Sequence, residues 1–378
     1  MSYQAFCSTE IVFGNRNELL ARLLSVKKNM VLVMSHSAAI RWELGAFIQE
    51  LTEQIEARGL NFTWISAIAA NPTQEDIFLA LELIGQRPVD TIIAIGGGSA
   101  MDLAKGISAF WSDANSRCVE SITESIKKKT YVHNNSLAEI IAVPTTAGTG
   151  SEVTQWATIW DMDNKAKYSI DIPGLQPKLA VIVPELTTSV SSFMTLSTGL
   201  DAMCQAIEAY WSKHTTPLVQ EIAYRSIELV IDNLRNAVDD PSNLAVREKL
   251  CRASVLAGLA FAKTRTTACH SISYPLTMLH DIPHGIAASI TLDAVGKKNK
   301  GHFPSDQRLF DLFQDHGGIG SWIDETCSGV IDMRLSAFGV TASDLPRIVD
   351  NAFTGGRMDN NPFDLTRDDV MSILTDIL

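Results

Sequence analysis

Asp90-Thr91-Ile92-Ile93-Ala94-Ile95-Gly96-Gly97-Gly98-Ser99-Ala100-Met101-Asp102-Leu103-Ala104-Lys105 is the stretch that decides how this chain folds. An apolar run of strand length ends in three glycines, and a helix-forming run begins near Ser99. A strand that is apolar at consecutive positions is covered on both faces, as in the parallel sheet of an α/β protein. Glycines directly after such a strand let the backbone approach a ligand closely. The free N–H groups and positive dipole end of the next helix then suit a pyrophosphate. Met101 stands where the third glycine of G-x-G-x-x-G would be, so the turn fits a purely structural role as well.

The same rhythm extends on both sides. Residues 30–34 form another short apolar run. Residues 37–58 then follow with helical spacing, which predicts Ile40, Leu44, Phe47, Ile48, Leu51 and Ile55 on one buried face. Residues 61–65 read as a strand, and Thr73 reads as an N-cap with Asp76 three residues on. Residues 140–143 form a fourth strand ending in Pro144, followed by the hydroxyl-rich loop PTTAGTGSEVT at 144–154. Such a loop suits ribose and nicotinamide, and it equally fits a capped helix start at Thr149 or Ser151. Two loops of this kind at the C-terminal ends of neighbouring strands favour a nucleotide crevice.

Beyond Trp156 the pattern changes. Ala157-Thr158-Ile159-Trp160, the turn Asp161-Met162-Asp163-Asn164 and Lys167-Tyr168-Ser169-Ile170 predict a hairpin. From about Pro184 the chain reads as helical, with long amphipathic stretches at 217–237, 245–262 and 365–378. The expected organisation is an α/β domain with a parallel, Rossmann-like sheet at 1–184 and an all-helical domain at 185–378. A length of 378 residues suits two domains.

Composition excludes several classes of function. A hydrophobic fraction of 46% with 20% charged residues is that of a folded globular protein. A net charge of −12 offers no basic excess for nucleic acid, though it leaves room for a small anionic ligand. No run approaches the ~18 apolar residues that span a bilayer, and the N-terminus lacks a secretory pattern. The 6 cysteines form no C-x-x-C pair, which points to reduced thiols and a cytoplasmic protein.

The helical half carries the polar residues of interest. In TGLDAMCQAIEAYWS (198–212), Asp201 and Gln205 share a helix face with Glu208 one turn on. That spacing fits a metal ligand or a helix-start cap. His270 and His284 lie fourteen residues apart in CHSISYPLTMLHDIPHG at 269–285. Two histidines and an upstream aspartate suit a divalent metal, but spacing alone leaves core histidines as an equal alternative.

Together these strings resemble the iron-containing (group III) alcohol dehydrogenase family of the dehydroquinate-synthase-like superfamily. GGGSAMDLAK resembles the family's GGGS-x-x-D-x-AK, PTTAGTGSEVT its second loop, TGLDAMCQAIEAY its TGxDALxHAIEAY, and the family's IPHG stands at 282–285. The resemblance spans essentially the whole chain. It implies a dinucleotide, NAD or NADP, across the crevice between the two domains, and a divalent metal, Fe2+ or else Zn2+. The cofactor positions it implies are Gly97, Gly98, Ser99, Asp102, Thr145, Thr146, Thr149, Ser151, Val153 and Lys167. The metal positions are Asp201, His270 and His284, with Gln205 where the family has a histidine. The reaction implied is reversible aldehyde–alcohol interconversion, with no nucleic-acid or membrane partner and a homodimer as the assembly.

Three departures bear on function. An amide oxygen at Gln205 is a weaker donor than imidazole toward iron or zinc. Tyr274 replaces a family histidine that is given a proton-relay role, and it needs a lowered pKa to act as an acid near neutral pH. His36 replaces an aspartate that reads the adenosine ribose, so NADP is expected to be tolerated beside NAD. The stretch 263–277 looks like the phosphonoacetaldehyde reductase branch; Lys263 and Arg265, just ahead of the first histidine, fit cations that face an anionic substrate and equally fit the solvent side of a helix end. The expected function is an NAD(P)-dependent alcohol dehydrogenase or aldehyde reductase, acting through His270, His284 and Tyr274. Two alternatives are a metal-free reductase resembling maleylacetate reductase and a non-catalytic dinucleotide-binding homologue.

Overall fold

Strand alternation sets up two separate cores, one on each face of a single sheet. The computed structural model describes residues 6–26, 28–113, 116, 118–134, 136–162, 164 and 166–378. The strands are β1 (Glu10–Phe13), β2 (Met30–Val33), β3 (Phe62–Ile65), β4 (Thr91–Gly96), β5 (Glu139–Pro144), β6 (Trp156–Asp161), β7 (Ala166–Asp171) and β8 (Leu179–Ile182). Six of them form one parallel sheet in the order β1-β8-β5-β4-β2-β3. Val31, Val33, Ile92, Ala94, Ile140 and Ala142 point to one face, where Ile77, Leu103, Ile107 and Ile122 of three helices cover them. Leu32, Met34, Ile93, Ile95, Val143 and Val181 point to the other, against Leu19, Leu23, Leu51 and Ile55. Burial on both faces is why these strands read as continuous apolar runs.

β6 and β7 pair antiparallel, with Thr158 opposite Ser169, as the predicted hairpin requires. Asp163 of its turn lies outside the described residues. Thr73 caps the helix Gln74–Ile84 through a reciprocal box with Asp76. Two features depart from expectation. The predicted helix at 37–58 is two helices, His36–Arg41 and Gly45–Glu56, broken where Glu43 adopts φ 51°. Ile40 is consequently 78% exposed, while Leu44, Phe47, Ile48, Leu51 and Ile55 are buried. The sheet also gains β1 and β8, which pair with each other and were not anticipated.

The chain divides into two compact units. The first comprises Met1–Thr146 and Ser151–Thr187, and the second Ala147–Gly150 and Thr188–Leu378. In the second unit every described element is helical. Its long helices Ser192–Trp211, Pro217–Asp239 and Leu244–Thr264 start at Ser191, Thr216 and Asn243, whose side chains accept backbone N–H bonds. Among the described residues no helix is long and apolar enough to cross a membrane.

Candidate active site

Three polar side chains of the second unit converge on one another. Asp201, on the helix Ser192–Trp211, sets its Oδ1 3.3 Å from Nε2 of His270 and 4.0 Å from Nε2 of His284. The two imidazole rings lie 5.3 Å apart at 69°. One donor atom from each of the three residues falls within 4.8 Å of the others, the spacing of a divalent-ion site. Asp201 is deep inside its helix rather than at the start, so the capping alternative does not apply. Gly285 makes the convergence possible. A Cβ there would run into the Ser197 carbonyl and lie 3.1 Å from Asp201 Cβ, so only glycine lets the helix His284–Ser289 come this close.

Gln205, one turn beyond Asp201, is buried, and its Oε1 has no hydrogen-bond partner among the described residues. A buried amide oxygen without a partner costs on the order of 1–3 kcal/mol. A cation beside Asp201 would satisfy it. The donor set of one carboxylate, one amide oxygen and two imidazoles therefore fits a divalent metal, with the amide as the weakest member.

Sequence reasoning placed Glu208 on the right face but gave it no role. Its Oε1 accepts from Thr267 Oγ1 at 2.8 Å, from Cys269 N at 2.8 Å and from His270 N at 3.3 Å. Its Oε2 contacts His270 Nδ1. Thr267 makes no side-chain cap bond at the start of the helix Ala268–His280, so Glu208 reaches over from another helix to cap it. Trp211 Nε1 donates to Thr267 Oγ1 at 2.8 Å and closes the network. Burial alone would raise the Glu208 carboxyl, but His270 and the donor groups hold it below the usual carboxylate range. Burial pulls the His270 imidazole down, yet Glu208 and Asp201 outweigh it and carry the ring up to about 9.

Cys204, Glu208 and Cys269 also cluster within 4.8 Å. Glu208 already accepts four hydrogen bonds there, and burial keeps both thiols protonated by pushing them up. In that trio Glu208 is a hydrogen-bond node, committed to Thr267, Cys269 and His270.

Tyr274 stacks on His284 with centroids 6.3 Å apart and planes 14° from parallel. Burial raises its hydroxyl above the ordinary tyrosine value; Arg357 works against that, and Glu208 and Asp201 add to it. The lowered pKa that an acid role demands is absent. Lys263 and Arg265 are exposed at the end of the helix Leu244–Thr264. Arg265 adopts φ 61°, and its Nη1 lies 3.0 Å from where a Cβ on Gly356 would be.

The first unit gathers most of the cofactor positions at one end of its sheet. His36 follows β2, Gly97, Gly98 and Ser99 follow β4, and Thr145 and Thr146 follow β5, three strands that are neighbours. Gly97 caps the helix Gly98–Phe110 without any side-chain bond, so that N-terminus is open. A Cβ on Gly97 would sit 3.3 Å from Thr146 Oγ1, leaving a cradle that suits a phosphate group. His36 meets Trp64 edge-on at 4.5 Å, and Ser99 Oγ accepts from Asn71 N at 3.3 Å. Asp102 and Ser151 are also tied into the fold. Ser151 Oγ donates to Asp102 at 2.9 Å and Thr158 N donates to it at 3.0 Å. Lys105 Nζ, fully buried, donates to Ser151 O, Ser151 Oγ and Trp156 O. Val153 is buried with its carbonyl accepting from Gln176, and Lys167 lies over the Trp160 ring at 5.3 Å. Thr149 belongs to the second unit.

Residues 8–184 match the family described as iron-containing alcohol dehydrogenase, and residues 195–378 match the Fe-containing alcohol dehydrogenase family, C-terminal. The chain is 30% identical over 362 residues to the 1,3-propanediol dehydrogenase of Citrobacter freundii, covering 90% of this chain and 89% of that protein. The chain belongs to the iron-containing alcohol dehydrogenase family. Another member, the phosphonoacetaldehyde reductase of Streptomyces viridochromogenes, is 37% identical over 212 residues, covering 56% of this chain and 53% of that protein. The sulfoacetaldehyde reductase of Bifidobacterium kashiwanohense, solved in complex with NAD+, superposes with a TM-score of 0.83 at 28% identity, covering 100% of this chain and 99% of that one. Like other iron-containing alcohol dehydrogenases, the chain is an oxidoreductase acting on alcohols.

Proposed function

We propose that this protein is an NAD(P)-dependent reductase of small aldehydes that works with a divalent metal. The observation that carries this reading is the buried, partnerless Oε1 of Gln205 beside the converging Asp201, His270 and His284. In this reading the segment 1–184 holds the dinucleotide, through His36, Gly97, Gly98, Ser99, Thr145 and Thr146, and 185–378 holds metal and substrate. When bound, the ion supplies a Lewis acid for the substrate oxygen, and the dinucleotide supplies or accepts hydride. Asp201, Gln205, His270 and His284 would hold the ion. Glu208 fixes the His270 ring, so that Nε2 faces Asp201. Tyr274, with its raised pKa, keeps its proton near neutral pH and acts as a hydrogen-bond donor beside His284.

The similarity to a phosphonoacetaldehyde reductase and to a sulfoacetaldehyde reductase supports an aldehyde carrying an anionic head group. Phosphonoacetaldehyde, reduced to 2-hydroxyethylphosphonate, is the specific substrate proposed. The 6 cysteines, which form no disulfide, support a reducing, cytoplasmic setting.

The test is NAD(P)H oxidation by protein loaded anaerobically with Fe2+ or Zn2+, using phosphonoacetaldehyde, propanal and 3-hydroxypropanal. Activity that disappears on chelation and returns with metal is expected, with phosphonoacetaldehyde preferred. Full activity in metal-free protein would overturn the metal role. Failure to reduce any aldehyde with either cofactor would overturn the reductase reading.

A further inference from the structure

We infer that Arg357, with Arg265 beside it, forms the subsite that anchors an anionic head group next to the Asp201–His270–His284 centre. This rests on the reading of the protein as a reductase of anionic aldehydes and names the residue that selects them. Arg357 lies far along the chain from every motif, in the loop between the helix Leu345–Asn351 and the short turn Met358–Asn360. Its guanidinium carbon sits 5.4 Å above the Tyr274 ring, and Tyr274 in turn stacks on His284. One aromatic ring thus separates a fixed positive charge from the proposed metal ligand.

The loop is fastened on both sides. Ser271 Oγ donates to Ala352 O at 2.5 Å and accepts from Thr354 N at 3.1 Å, which ties the loop to the helix carrying His270 and Tyr274. Asn360 Nδ2 donates to Thr264 O at 2.6 Å and to Thr266 O at 3.2 Å, which ties it to the turn carrying Arg265. The φ of 61° at Arg265 is uncommon for a residue with a side chain. It accompanies the approach of this guanidinium to Gly356, the residue before Arg357. The Arg265 side chain is thereby brought against the backbone residue that precedes Arg357, in a loop held by hydrogen bonds on both sides.

The guanidinium of Arg357 is not neutralised by the fold. Its Nε is buried and meets no acceptor among the described residues, and the side chain it does contact is the neutral Tyr274. A buried donor on a permanent cation is left wanting an anion. A phosphonate or sulfonate, with oxygens in a planar pair, suits the guanidinium fork better than an ammonium does. Such a group one methylene from an aldehyde leaves the carbonyl free to extend toward the histidines.

The experiment uses the full-length, metal-loaded protein and Arg357→Gln, Arg357→Lys and wild type. Two readouts are needed: kcat/KM for phosphonoacetaldehyde against propanal, and binding of ethylphosphonate, which has no carbonyl, by calorimetry. Arg357→Gln is expected to lower the phosphonoacetaldehyde-to-propanal ratio by about ten- to hundredfold. Ethylphosphonate binding should weaken by a similar factor, and Arg357→Lys should recover part of it. Equal losses for both aldehydes, or an unchanged ethylphosphonate affinity, would overturn the anchor. If wild type reduces propanal but neither reduces phosphonoacetaldehyde nor binds ethylphosphonate, the anchor fails while the reductase reading stands. If no aldehyde is reduced yet ethylphosphonate binding still depends on Arg357, the anchor stands and the reductase reading fails. Near-UV circular dichroism of each variant separates these outcomes from misfolding.

Discussion

Glu208 and His270 are joined twice, once from the His270 backbone N–H to Oε1 and once from ring Nδ1 to Oε2. The same carboxylate therefore caps the helix that carries the histidine and sets the rotation of its ring. Glu208→Ala removes both functions. Metal affinity is expected to fall by about 10–100-fold, with about 1 kcal/mol of stability lost from the cap. Glu208→Gln should fall between, because its amide can accept from the backbone N–H groups but cannot also accept the proton on Nδ1. Metal content after dialysis against a fixed chelator concentration, and the visible spectrum of the Co2+ form, report on this directly. An unchanged metal affinity in Glu208→Ala would show that the ring is positioned by packing alone.

The metal-free protein should carry a proton on His270. Burial works against the charged ring, but Glu208 and Asp201 raise it from 6.5 to about 9. Its contribution to stability is fully present below about pH 6.5 and is lost as pH rises through about 9, an upper bound of about 3 kcal/mol. Lys105 acts in the opposite sense, since burial lowers it to about 8 and its charged form burdens the fold below that pH. The measurement is therefore the difference in urea midpoint between wild type and His270→Gln, in chelator, from pH 6 to 9.5. A difference that stays flat across that range would show that His270 is not charged in the metal-free state.

Part of this site was legible in the sequence because its signals are local. Apolar strands followed by glycines announced β4 and its open helix, and Asp201, Gln205, His270 and His284 stood out as polar residues in apolar runs. β1 and β8 did not: β1 is a sheet-edge strand with no fully buried position, and β8 runs into the Val183-Pro184 junction where the sequence reads as turning helical. The break at Glu43 was hidden because the apolar spacing continues through it, although Ile40 ends up in solvent. Asp102 and Ser151 match cofactor motifs, but their internal ties, Lys105 to Ser151 and Ser151 to Asp102, depend on side chains that meet only in the fold. Arg357 was invisible because what distinguishes it is its neighbours, and a loop distant in sequence supplies it.

Lys105→Met tests that internal role. The substitution strips three acceptors of their donor and leaves Asp102 buried without its counter-charge. Removing one partner of a buried charge pair costs about 3–5 kcal/mol, and that loss should appear in the urea midpoint. NAD(H) affinity should fall as well, because the segment from Ser151 to Trp156 loses its tether. A midpoint within about 0.5 kcal/mol of wild type, the spread of an ordinary surface change, would mean that Lys105 contributes little.

Gln205→His addresses the weakest ligand. The native amide oxygen is buried and partnerless among the described residues, whereas imidazole is a stronger donor toward iron and zinc. The variant should hold Zn2+ at least about tenfold more tightly, because the site would offer three imidazoles and a carboxylate. The gain carries a cost in the metal-free protein, where a larger ring would fill the place of the amide with an unmet nitrogen. The rise in Tm on adding metal should therefore be larger in Gln205→His than in wild type. Gln205→Ala should move the other way, losing metal faster during dialysis while the metal-free protein is barely less stable, since its Oε1 makes no bond to lose. Competition with a chromogenic chelator ranks the three proteins on one scale. If all three bind Zn2+ equally, Gln205 does not face the ion, and Asp201, His270 and His284 hold it unaided.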